Sequence, residues 1–230
     1  MKFTVQQATG HDTSHLTVLE EYGPNCLMTP ATAAAFRSMA AAAQKDGLTL
    51  MPASSHRSFE RQLVIWNDKY LGDRPVLDWQ GKKVDVNTLT GVETCYAILF
   101  WSALPGFSRH HWGTDIDVAA ANLMPPGYQL QLTGEEYGAG GIFEPLTAWL
   151  NSHMEEFGFY RPFTDEAHVR VGTELWHISY RPDAAQFEVL ITPDLIRETI
   201  KNAQIAGKSC LLGMADELYA DYIARSASGN

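Results

Sequence analysis

Ser108-Arg109-His110-His111-Trp112-Gly113-Thr114-Asp115-Ile116-Asp117 gathers two histidines, two aspartates and a glycine into one short stretch. From Thr114 to Val118 the sequence alternates, Thr-Asp-Ile-Asp-Val. Period-two alternation argues a strand with Ile116 on one face and both aspartates on the other. Gly113 stands between His110 and Asp117, where the chain can turn and bring the two side chains to one point. Further on, Glu174-Leu175-Trp176-His177-Ile178-Ser179-Tyr180 is comparably dense in chemistry-bearing residues. Residues 168–180 read as a strand pair broken near Gly172-Thr173.

Outward from this centre the pattern turns helical. Residues 29–46 open with Thr29-Pro30, a cap followed by proline at the first helical position, and stop at Gly47. Phe36, Met39, Ala40 and Ala43 recur at helical spacing within them. Residues 48–53 read as a short strand. Ser58 can cap a second helix through Lys69, with Leu63 and Trp66 on one face and Gly72 beyond. Residues 73–90 are mixed and turn-rich, 92–104 are apolar and helix-like, and 122–141 read as a long surface loop. Residues 143–157 form a further helix candidate, and 194–206 and 209–224 two closing helices. Helices at both ends around central strands imply an α+β fold in one domain spanning 1–230.

The composition suits a globular chain: 230 residues, 45% hydrophobic and 19% charged. The formal net charge of -10 disfavours nucleic-acid binding, which needs a basic surface, and disfavours anionic membranes. Cys26, Cys95 and Cys210 form no close pair, so three free buried thiols are expected rather than a disulfide framework. No stretch approaches the ~20 apolar residues of a membrane span. The first twenty-odd residues lack the apolar core of a signal peptide, which points to the cytoplasm if Met1 is the natural start and leaves the periplasm open if it is not.

A catalytic zinc takes three protein ligands of N or O type and leaves one position for water. His110, Asp117 and His177 supply such a set. Taken singly, a histidine is more often a packed or surface residue than a ligand. His11, His15, His56, His153 and His168 belong to no pattern and are read as structural or exposed. Asp115 shares the face of Asp117, as an outer-sphere group or as a solvated strand residue.

Together the two segments resemble the VanY-type zinc D-alanyl-D-alanine carboxypeptidase family, marked by SxHxxGxxxD and a later ExWH. Here these are Ser108, His110, Gly113 and Asp117, then Glu174, Trp176 and His177. A third mark, SxxRS with a downstream glutamine, is matched by Ser54, Arg57, Ser58 and Gln62. The resemblance covers about residues 48–180. Asp115 departs from it, standing where the family usually has a small residue.

The resemblance implies a small α+β domain of hedgehog/DD-peptidase type, with a central antiparallel sheet, flanking helices and Zn²⁺ held by His110, Asp117 and His177. Glu174 would be the general base and Arg57 the electrophilic partner. Ser55, Gln62 and Ser108 would be substrate contacts or supporting donors, and Trp112, Trp176 and Tyr180 pocket walls. In a regular strand Glu174 and His177 would face opposite sides, so the assignment requires a bend after Gly172. The implied substrate is a peptidoglycan stem peptide or muropeptide. An L,D-carboxypeptidase trimming recycled tetrapeptides is slightly preferred over D-Ala-D-Ala cleavage. An endolysin-like L-Ala-D-Glu endopeptidase and a non-catalytic zinc-containing binding module are the alternatives. Oligomeric state is not readable from the chain.

Overall fold

The structure is a computed structural model that describes residues 2–164 and 171–223. Its centre is a four-stranded sheet made of β1 (Leu50–Ser54), β2 (Asp115–Ala120), β3 (Phe159–Tyr160) and β4 (His177–Tyr180), in the order β1-β2-β4-β3. Every neighbouring pair is antiparallel. Pro52 lies in β1, at the sheet edge, where its missing N–H costs no ladder bond. A register shift follows between Pro52 and Ser54, so that Ser54 comes opposite Asp117. On the other side of β2, Asp117 pairs with His177 and Asp115 with Ser179.

The helices form where their ends are chemically marked. Thr29 accepts a hydrogen bond from Thr32 N at 3.1 Å and opens α1 (Pro30–Lys45), which buries Phe36, Met39 and Ala43. Ser58 accepts from Arg61 N at 3.2 Å and opens α2 (Phe59–Leu71), which ends on Gly72 in the left-handed conformation. A reciprocal cap between Thr90 and Glu93 begins α3 (Gly91–Leu99). There follow α4 (Glu144–His153), α5 (Arg181–Glu188), α6 (Pro193–Asn202) and α7 (Lys208–Gly213).

Two apolar clusters organise these elements. One joins the sheet to α1 and α4 through Phe36, Leu50, Ile116, Val118, Leu150 and Ile178. The other joins α2, α3, α5, α6 and α7 through Trp66, Ile98, Phe187, Ile196, Ile200 and Leu211. The expected class is therefore found: a mixed α+β fold with a central antiparallel sheet flanked by helices. No helix among the described residues is long and apolar enough to cross a membrane.

Several segments differ from expectation. Of residues 168–180, only His177–Tyr180 is a strand; 171–176 are turn and loop, and 165–170, with His168, lie outside the described residues. Residues 122–141 are more than a surface loop. They include a helical turn at Gly134–Tyr137, where the Glu136 carboxylate accepts from the backbone of Gln131 and Thr133. Tyr137 is wholly buried there and donates to Val118 O at 2.7 Å. The helix expected over 92–104 stops at Leu99, and that over 143–157 passes into a 3-10 turn at Met154–Phe157. The last helix expected over 209–224 is broken into α7, Ala215–Leu218 and a π-turn at Tyr219–Ile223. Cys26 and Cys95 are buried free thiols, whereas Cys210 is free but only half-buried.

Gly113 turns the chain between the 3-10 turn Arg109–Trp112 and β2 at φ +68°. A Cβ there would fall 2.3 Å from Leu16 Cδ2 and 3.3 Å from Thr29 N. Gly113→Ala is expected to cost about 1–3 kcal/mol from the left-handed conformation alone. A shift of the urea midpoint measures it, and an unchanged midpoint would mean that the N-terminal segment yields without strain.

Candidate functional site

β2 and β4 set Asp117 directly across from His177, and the turn at Gly113 returns His110 to the same point. Donor atoms of His110, Asp117 and His177 all lie within 4.8 Å of one another, and all three residues are buried. His177 Nδ1 is 3.1 Å from Asp117 Oδ1, and His110 Nε2 is 3.4 Å from Asp117 Oδ2. The far nitrogen of each ring is already engaged. His110 Nδ1 is 2.8 Å from the carbonyl of Ser55, to which it donates, and His177 Nε2 is 2.9 Å from Asp115 Oδ1. These contacts fix both tautomers so that the remaining nitrogens face each other across Asp117. Two imidazole nitrogens and a carboxylate, each oriented from behind, form a donor set that fits a divalent metal of zinc type.

The electrostatics favour a cation at this point. Burial alone would lower the pKa of His177, but Asp115 and Asp117 hold it up to about 10. Burial raises the Asp117 carboxyl, yet His110 and His177 overcome it and keep the group well below the usual range. Glu174 lies in the turn before β4, with Oε2 3.4 Å from His177 Nδ1. The chain bends here, with His177 N donating to Glu174 O at 3.2 Å, so both side chains reach the same side. Burial pushes the Glu174 carboxyl up to about 7; Asp117 adds to the rise, and His177 and Arg57 oppose it.

Asp115 is fully buried, not a solvated strand residue, and is bound on every side. It accepts from Arg109 Nε at 2.8 Å, Thr114 Oγ1 at 2.6 Å and Ser179 Oγ at 3.0 Å, besides His177. Arg109, also buried, reaches Glu188 at 2.8 Å and Tyr160 at 2.6 Å and stacks over Trp112 at 4.6 Å. An unpaired carboxylate at this depth would be costly; Arg109 Nε and His177 Nε2 share Oδ1, while the Thr114 and Ser179 hydroxyls take Oδ2. Alternation placed Asp115 on the right face, but nothing in the sequence linked it to Arg109, Tyr160 and Glu188.

The remaining candidates separate. Arg57 lines the cleft beside His110, Asp117 and Glu174; its Nη1 donates to Gln62 Oε1 at 2.8 Å, and its backbone N to His110 O at 3.1 Å. Gln62 is fully buried and holds Arg57 from behind while donating to Ala103 O at 2.7 Å. Ser108 and Trp112 line the cleft, as does Trp176. Ser55 instead supports: its carbonyl receives His110, and its hydroxyl accepts from Leu27 N at 3.2 Å. Tyr180 is not among the cleft-lining residues; its ring packs on Phe159 at 5.4 Å. Phe163, which the sequence did not single out, sits edge-on to His177 at 4.9 Å.

His111 faces away from the cleft. Its Nδ1 is 2.6 Å from Arg57 O, and its Nε2 accepts from Gly106 N at 3.1 Å. Burial lowers its pKa to about 3, so it stays neutral and ties the Arg57 loop to the turn before Ser108. The cleft itself encloses about 710 Å³, with Leu77, Trp79, Trp101, Leu132 and Phe163 among its walls.

Comparison with known proteins follows the same lines. The family described as VanY, D-alanyl-D-alanine carboxypeptidase, matches residues 25–183. An uncharacterized protein of Haemophilus influenzae is 37% identical over 117 residues, half of this chain and 89% of its own. A D-alanyl-D-alanine carboxypeptidase of Enterococcus faecalis is 26% identical over 141 residues, which cover 60% of this chain and 42% of that protein. Among solved structures, the D,D-pentapeptidase VanY of a VanB-type resistance cassette, a point mutant in complex with Zn(II), aligns with a TM-score of 0.51 at 20% identity, covering 85% of this chain and 88% of that one. The LdcB LD-carboxypeptidase aligns at 0.52 and 20% identity, covering 88% and 79%. At that identity the two structures speak for the fold, while the family match spans all three sequence marks and the whole metal-binding constellation. The chain is a metallopeptidase belonging to the VanY D-alanyl-D-alanine carboxypeptidase family.

Proposed function

We propose that the protein is a zinc carboxypeptidase that releases terminal D-alanine from peptidoglycan stem peptides. The observation that carries this is one cleft holding three converging donors, His110, Asp117 and His177, with the Glu174 carboxylate 3.4 Å from the last of them. Zinc bound there supplies a Lewis acid that polarises the scissile carbonyl and lowers the pKa of bound water to about 7. Glu174 takes the proton from the attacking water and returns it to the leaving nitrogen. Arg57, held by Gln62, presents its guanidinium to the carbonyl oxygen as negative charge develops there. Trp112, Trp176 and Ser108 line the site.

Among stem peptides we favour the tetrapeptide, in which a long diamino acid precedes D-alanine, over the D-Ala-D-Ala pentapeptide. Support comes from the volume of the cleft, about 710 Å³, and from Leu77, Trp79 and Trp101 in its lining, which together offer more apolar space than an alanine methyl fills. Incubation of the zinc-loaded protein with each stem tests both levels. D-alanine from the tetrapeptide, abolished by a chelator, is expected. Release from the pentapeptide alone would overturn the tetrapeptide preference, and release from neither would overturn the carboxypeptidase reading.

Asp115 supplies a further check on the zinc assignment. Asp115→Ala removes the acceptor that orients His177 and one of the two carboxylates paired with Arg109, and is expected to weaken zinc binding about 10–100-fold. Competition with a chromogenic chelator measures it. Unchanged affinity would show that His177 needs no support from behind.

A further inference from the structure

Of the six tryptophans, Trp66, Trp112, Trp149 and Trp176 are buried and Trp101 is half-buried, whereas Trp79 is 72% exposed. An indole left in water forgoes a large apolar burial. Trp79 nonetheless lines the cleft that holds His110, Asp117, Glu174 and His177. It stands at the tip of a hairpin in which Val76–Leu77 pairs with Lys83–Val84. The tip is tightly tied. The Asp78 carboxylate accepts from Gln80 N at 2.8 Å and from Lys82 N at 2.9 Å. Its backbone carbonyl accepts from Gly81 N at 3.0 Å and from Trp101 Nε1 at 3.0 Å.

Trp101 also sets where the hairpin lies. Its ring packs on Gly172, where an added Cβ would fall 2.3 Å from Cζ3. Gly172 stands two residues before Glu174. Between Glu174 and the hairpin turn there are therefore two residues of chain, at most about 7 Å, and one indole. The scissile bond of a tetrapeptide lies three residues from the head of the stem, roughly 10 Å when extended. A stem with that bond beside Glu174 is long enough to bring its head to the hairpin, where Trp79 is the outermost ring and Leu77 and Trp101 are half-buried.

The head of a stem is an N-acetylated amino sugar. One face of a pyranose ring is lined by C–H bonds polarised by the ring oxygens, and this weakly positive face complements the negative face of an indole. The ring edge carries hydroxyl and acetamido groups, which neutral amides satisfy without the cost of burying charge. Gln80, next to Trp79, and Gln131 both line the cleft. Gln131 belongs to a second fixed segment: the Glu136 carboxylate accepts from Gln131 N and Thr133 N, and Leu132 between them is held at φ +55°. Both segments are in place before a ligand arrives, which spares the ordering cost of binding.

We propose that Trp79 is a stacking platform for the amino-sugar ring at the head of the stem, so that glycan-bearing muropeptides are preferred to free stem peptides. This rests on the carboxypeptidase reading and extends it from the peptide to the sugar.

The test measures D-alanine release by the zinc-loaded protein from a free tetrapeptide and from the same tetrapeptide on N-acetylmuramic acid. In wild type, KM for the sugar-bearing substrate should be about 3- to 10-fold lower. The two kcat values should be alike, since the contact lies away from the reacting bond. Trp79→Ala should bring the two KM values together. Trp79→Phe should keep most of the difference and Trp79→Leu little of it, because leucine supplies apolar area without a ring face. Zinc content and melting temperature of all three variants should match wild type, the side chain being exposed. Equal KM values in wild type, or a preference that survives in Trp79→Ala, would overturn the platform. So would an equal rise on both substrates, which would assign Trp79 to the peptide.

If wild type releases no D-alanine from either substrate, the carboxypeptidase reading falls. N-acetylmuramyl-L-alanyl-D-isoglutamine, which holds no such bond, then decides the platform by binding alone. Saturation transfer from the protein, read by NMR, should reach the sugar C–H protons in wild type and not in Trp79→Ala. Transfer confined to the peptide protons, or unchanged in the variant, would overturn it.

Discussion

Glu174→Ala is expected to lower kcat for D-alanine release by about 10²–10⁴-fold while zinc remains at about one per chain, because only the proton carrier is removed. The side chain is held for this task by its position. It lies in the turn before β4, partly buried beside Asp117 and His177, and desolvation there raises its pKa to about 7. A carboxylate in that range can accept a proton near neutrality and give it up again. The sign of the pH dependence follows. Activity should fall as pH drops through the Glu174 pKa, and a zinc ion at the centre, favouring the charged carboxylate, places that acid limb at or below about 7. Steady-state kinetics with metal analysis on the same sample measure both quantities. If Glu174→Ala kept near wild-type turnover, another group would be the base.

His177→Ala is expected to abolish both zinc and turnover. It removes one of three donors and also the positive partner of two buried aspartates. Breaking a buried charge pair from one side costs about 3–5 kcal/mol. The variant should therefore melt earlier than Glu174→Ala even in zinc-free buffer, which separates the ligand from the base by a second readout. Retained stoichiometric zinc would mean that the third ligand lies elsewhere.

What was legible in the sequence was what local chemistry decides. Thr29-Pro30, Ser58 and Gly72 mark helix ends by hydrogen bonds to near neighbours, and α1 and α2 begin where they predict. Alternation at 114–118 placed Asp115 and Asp117 on one face, and the need for a bend before Glu174 followed from parity alone. The segments misread are those that tertiary contacts define. Gly134–Tyr137 is polar enough to pass for a loop, and the buried Tyr137 is explained by distant partners, the Val118 carbonyl and the rings of Phe143 and Trp176. Its Thr133–Glu136 cap was nevertheless a readable signal. α5 begins at Arg181-Pro182 immediately after a strand and was overlooked, though proline in a first turn announces it. Arg109 carried no signal of its own, since partners at Tyr160, Ser179 and Glu188 are invisible to any short window.

The pairing of Asp117 with His177 joins strands sixty residues apart in the chain. During synthesis, a polypeptide that has emerged only as far as β2 carries two of the three donors and no base. Both missing groups arrive together on the segment ending in β4, the inner strand that the sheet acquires last. Closing a loop of that length is slow compared with forming the helices on either side. On the proposed reading, hydrolytic competence is thus withheld until β4 joins the sheet, and chains arrested before Glu174 and His177 are expected to be inert towards peptides.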